Sequence, residues 1–128
     1  MRVRHWTELL RLMSLMVIAD GRVLEEEIRV FVFRMTELRR KLAPEMMFSE
    51  GLVRDWFSAQ REEIARDHAE DREGYLENIL SGLDDFDRHQ VLVDAINAVA
   101  RADGFRHDAE MAIITAAAER WGVKVPKR

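Results

Sequence analysis

At 128 residues, 48% of them apolar, the chain is long enough to bury the core of one domain, and only two prolines and six glycines interrupt its helix-forming composition. It contains no cysteine, which excludes disulfides and thiolate metal sites and fits a reducing compartment. A formal net charge of -4 argues against general nucleic-acid binding.

The first predicted helix runs from about Trp6 to Ala19, with Leu9, Leu10, Leu12, Met13, Leu15, Met16, Val17 and Ile18 making it apolar nearly all round; such a helix belongs in the centre. The start, Met1-Arg2-Val3-Arg4-His5 before an apolar stretch, has the outline of an export leader. Glu8 and Arg11 interrupt that stretch and its pattern recurs at Val91 to Ala102, so the expected location is cytoplasmic. No uncharged run approaches the ~20 residues that a membrane span requires.

A second helix is expected from about Leu24 to Leu42, its inner row being Ile28, Phe31, Met35, Leu38 and Leu42. Arg29, Arg34, Arg39, Arg40 and Lys41 form the outer face, a solvated helix end that suits the negative end of the dipole. Pro44 stops it. Ser49 caps a third helix to about His68, with Val53, Trp56, Phe57 and Ile64 inward. The charged run Asp67 to Arg72 marks a junction, and a fourth helix carries Tyr75, Leu76, Ile79, Leu80 and Leu83. Asp87 and Gln90 have capping-box spacing at the start of a fifth helix, about Arg88 to Ala102. Its Ala95, Ala98 and Ala102 allow close approach to the first helix. The sixth runs from about Asp108 to Trp121 and is closed by Gly122, leaving a basic tail, Lys124 to Arg128, expected to fray. His5, His68 and His89 read as surface residues, and the methionines and aromatics as core.

One pattern is written twice: Ala19-Asp20-Gly21 followed by Glu27, and Ala102-Asp103-Gly104 followed by Glu110. The flanks share its register, since Leu9 aligns with Leu92, Met13 with Ile96, Met16 with Val99, Ile28 with Met111 and Phe31 with Ile114. Each copy therefore reads as helix, tight turn, helix. A glycine there closes the first helix in the left-handed region, and the Glu falls near the third position of the next, where a carboxylate caps exposed N–H groups.

These residues resemble the tellurite-resistance TerB-like family, whose members carry an Ala-Asp-Gly-x5-Glu turn between helices in each of two related halves. The resemblance covers most of the chain, least so Pro44 to Asp84. It implies an all-helical domain without enzymatic activity, a link to metal or oxyanion stress, metal binding by the acidic residues, and a protein partner, related domains occurring in membrane-anchored J-domain co-chaperones. The His-Pro-Asp signature of a J-domain is itself missing. The chain departs from the pattern at Leu24 and His107, where a Ser, Thr or Asp would cap the second helix of each half.

The Asp-Gly-x5-Glu spacing equals the second half of an EF-hand loop, but Met16 and Ile18, and Val99 and Arg101, stand where the upstream ligands belong. If the two turns lie close together, Asp20, Glu27, Asp103 and Glu110 would supply four carboxylates, with His107 and Asp108 nearby. Such an oxygen-rich set suits calcium or magnesium. No Glu has a His three residues later, which removes a di-iron bundle, and no phosphate loop or nucleophile motif occurs. The reading is a single domain over residues 1–128, a compact all-α bundle of six or seven helices made of two related hairpins with a two-helix insertion. It is a non-enzymatic module that binds a divalent cation at those four residues or, alternatively, a protein-interaction domain whose acids only cap helices.

Overall fold

The computed structural model describes residues 3–19, 21–47, 49–102, 104 and 107–127 and contains six helices and no strand among them. They are α1 (Val3–Ile18), α2 (Glu25–Leu42), α3 (Glu50–Glu70), α4 (Arg72–Ser81), α5 (His89–Ala100) and α6 (Asp108–Trp121). The expected helices are all present, with α1 beginning three residues earlier than its apolar pattern suggested and α3 extending through the charged run to Glu70.

The sequence patterns account for the packing. In α1, Leu9, Leu12, Met13, Leu15, Met16 and Val17 are fully buried, and this helix touches α2, α3, α4 and α5. Each such side chain contributes roughly 1.5–3 kcal/mol of gross hydrophobic stabilisation, so α1 is the spine of the bundle. Its counterpart α5 lies against it as expected, burying Leu92, Val93, Ala95, Ile96, Val99 and Ala100, and also contacts α2 and α6. The insertion α3–α4 covers the other flank of α1, where Phe57 meets Phe31 of α2 edge-on at 5.7 Å.

Local caps follow the residue chemistry at some ends and not at others. Ser49 Oγ accepts the Leu52 N–H at 3.3 Å, and Asp71, within the charged run, accepts from Gly74 N at 3.0 Å to open α4. Gly122 closes α6 at φ 65°. Asp87 and Gln90 do not form the expected box. Arg88 is the N-cap of α5 and makes no side-chain cap, while the Gln90 amide donates to Lys124 O at 2.9 Å and accepts Lys124 N–H at 3.2 Å. The described part of the tail is consequently tied down rather than frayed, with Val123 and Val125 packed on the core.

Three further expectations are corrected. His5 is buried, donating from Nε2 to Asp85 Oδ1 at 2.8 Å, while Arg4 also pairs with Asp85. Its partner lies across the fold on the α4–α5 link, so proximity in sequence gave no sign of it. His89 is half-buried, stacked on Trp121 at 4.4 Å and bonded to Leu83 O at 2.8 Å. Phe33 and Met47 leave the core pattern and are 54% and 93% exposed. Beside the His89 stack, Arg120 pairs with both Glu77 and Asp84 at 2.6–2.7 Å, joining α6 to α4 and the link after it.

Candidate functional site

The two repeated turns are built alike. In the first, Gly21 lies at φ 81° and its N–H returns to Ile18 O at 3.0 Å; in the second, Gly104 lies at φ 102° and bonds Arg101 O at 3.0 Å. A Cβ at either position would meet no atom within 4 Å, so the requirement for glycine is the left-handed backbone rather than space.

Leu24 and His107 are the N-cap residues, both extended. Leu24 has no polar side chain with which to cap. In the second turn Glu110 at the third helical position reaches back, and its Oε1 accepts the His107 N–H at 3.1 Å, which is the expected capping role. Glu27 occupies the matching position of α2, and both carboxyl side chains belong to residues with 0% exposure.

The fold brings the two turns together. Arg22 Nη2, just after the first glycine, donates to His107 Nε2 at 3.4 Å. A cavity of about 530 Å3 opens at this meeting point, lined by Ala19 and Gly21 of one corner and His107 and Asp108 of the other. The far wall comes from the α3–α4 junction, which supplies His68 and Arg72. Burial first, and then the Arg72 charge, hold the His68 imidazole below its ordinary pKa, favouring the neutral ring at this wall.

Of the four carboxylates expected to gather at the corners, Glu27 and Glu110 are placed at the bases of the two turns, while Asp20 and Asp103 lie outside the described residues. Among the described residues, no three His, Cys, Asp or Glu side chains are grouped so that they could hold a metal ion. His107 and Asp108, expected near the site, do line the cavity. Arg22, His68 and Arg72 were not expected there. The run Asp67 to Arg72 signals a helix junction, but nothing in its spacing shows that the junction faces two turns so distant in sequence.

No helix among the described residues is long and apolar enough to cross a membrane. In comparisons with known proteins, the family described as tellurite resistance protein TerB matches residues 6–127, nearly the whole chain. No curated protein and no solved structure matches it.

Proposed function

The chain belongs to the TerB family, and we propose that it acts as a single-domain, non-enzymatic cytoplasmic module whose paired corners take a divalent cation in a metal or oxyanion stress response. The observation that supports this reading is the meeting of the two duplicated turns at one cavity, with Arg22 and His107 in contact. Asp20, Glu27, Asp103 and Glu110 would supply the cation's four carboxylate ligands. A set of carboxylate oxygens favours a hard cation, calcium or magnesium, over zinc. Loading would then be sensed by a protein partner, at the cytoplasmic side of a membrane.

A second reading is favoured by one contact. Glu110 Oε1 is engaged by the His107 N–H, so the acid already has a structural task, and a protein-interaction domain needs nothing more from it. Isothermal titration of the full chain with calcium and with magnesium separates the two. The cation reading expects saturable heat that falls at least tenfold in affinity in Asp20→Asn and Asp103→Asn while helicity is kept. No heat and no rise in melting temperature at millimolar metal would leave the interaction reading.

A further inference from the structure

The outer face of α2 carries an aromatic side chain that the core does not use. Phe33 is 54% exposed, and around it lies a shallow groove of about 400 Å3 with Val30 and Val32 beside the ring and Arg29, Arg34 and Arg54 at the rim. The Arg34 guanidinium sits 5.9 Å from the ring centroid. Aromatic and arginine side chains together are the pair most enriched where proteins associate.

The charges along this face choose the occupant. The first turn of α2 holds Glu25 and Glu26 and its last turn Arg39, Arg40 and Lys41, so the helix is acidic at one end and basic at the other. Phe33 stands at the midpoint of the order. Arg29 lies four positions before it and Glu37 four after; Glu26 lies seven before and Arg40 seven after. Residues three, four and seven apart share a helix face, so these four lie on the same face as Phe33. Two copies of α2 laid antiparallel with ring against ring would therefore set Arg29 against Glu37 and Glu26 against Arg40, each pairing occurring twice about a two-fold axis. A partner of one sign would match only half of this face, since Glu25, Glu26, Glu37 and Glu50 alternate with Arg29, Arg34, Arg40 and Arg54, whereas a second copy matches both halves.

We propose that this face binds a second copy of the chain, forming an isologous dimer through antiparallel α2 helices centred on Phe33. The surface is independent of the acidic corners, so it stands whether or not a cation binds there.

Sedimentation equilibrium of the full chain over a range from micromolar to several hundred micromolar tests the proposal. The expected result is a monomer–dimer equilibrium that weakens at least tenfold in Phe33→Glu. Arg29→Glu and Glu37→Arg should each weaken it alone, and the double variant should regain it, because reversing both charges restores the cross-axis match. Mixing the two single variants should produce a heterodimer, a result that also survives any modest loss of stability in either chain. A chain that stays monomeric throughout, a dimer indifferent to Phe33→Glu, or single variants that fail to pair when mixed would overturn it. Binding of liposomes of mixed neutral and anionic phospholipid that depends on Phe33, without self-association, would assign the face to a lipid surface instead and equally overturn it.

Discussion

Arg22 and His107 touch at 3.4 Å although each belongs to a different copy of the repeated turn. That contact makes the corners neighbours, and the absence of cysteine makes it easy to check. In the double variant Arg22→Cys/His107→Cys, a short bismaleimide should join the two sites within one chain and raise electrophoretic mobility. Neither single variant should show the shift, and a double variant that stays unlinked in its folded state would separate the corners.

Replacing Gly21 or Gly104 by Ala should destabilise the fold by about 1–2 kcal/mol each, the cost of a left-handed backbone for a residue with a Cβ. Open space around both positions means that no steric clash adds to it. Chemical denaturation measures the difference, and Asn, which tolerates this region better, should cost less than Ala at both sites.

The capping contact from Glu110 to the His107 N–H predicts that Glu110→Ala weakens the start of α6. The expected loss is about 1 kcal/mol, within the range for removing a cap, and an excess over that would reflect the hole left by a fully buried side chain. Glu110→Gln keeps an acceptor at the same place and should retain most of the stability, as read by urea midpoints.

Acid should loosen the link between α4 and α5 over a defined range. His5 first, and then Arg4, hydrogen-bond the Asp85 carboxylate and hold its pKa at about 2 instead of the usual 3.8. A carboxylate lowered on folding stabilises the native state above its unfolded pKa, and that contribution is lost as pH falls through the folded value. The loss should therefore spread between about pH 4 and pH 2. Asp85→Asn should flatten the pH dependence in that window; an unchanged acid limb would show that other carboxylates govern it.

Gln90 holds the main chain of Lys124 by both its amide groups, at 2.9 and 3.2 Å. Gln90→Ala should speed hydrogen exchange at the Lys124 amide and expose the tail to carboxypeptidase, with little change in the urea midpoint of the whole chain. Equal exchange rates in the two proteins would show that Val123 and Val125 suffice to seat the tail.

Features decided within a few residues were legible in the sequence. The boundaries of α6, the Ser49 cap and the closing glycines all rest on local chemistry, and each was found where the residues indicated. The duplication was legible too, because apolar register survives in α1 and α5. What could not be read depends on partners remote in the chain. Gln90 has the spacing of a cap, yet Lys124 claims its amide; His5 looks like a terminal surface residue, yet Asp85 lies above it. Phe33 falls outside the inward row of α2, and residue type alone placed it wrongly in the core. The corners show the same division, since their internal geometry follows from glycine and glutamate, whereas their meeting is a product of the bundle.

The mutual cover of α1 and α5 also bears on how the protein is made. During synthesis α1 leaves the ribosome ahead of the helices that cover it, and α5 follows only after α2, α3 and α4. The nascent chain must carry part of the apolar surface of α1 uncovered until α5 has emerged, which makes the incomplete peptide a natural client for chaperones that guard emerging polypeptides.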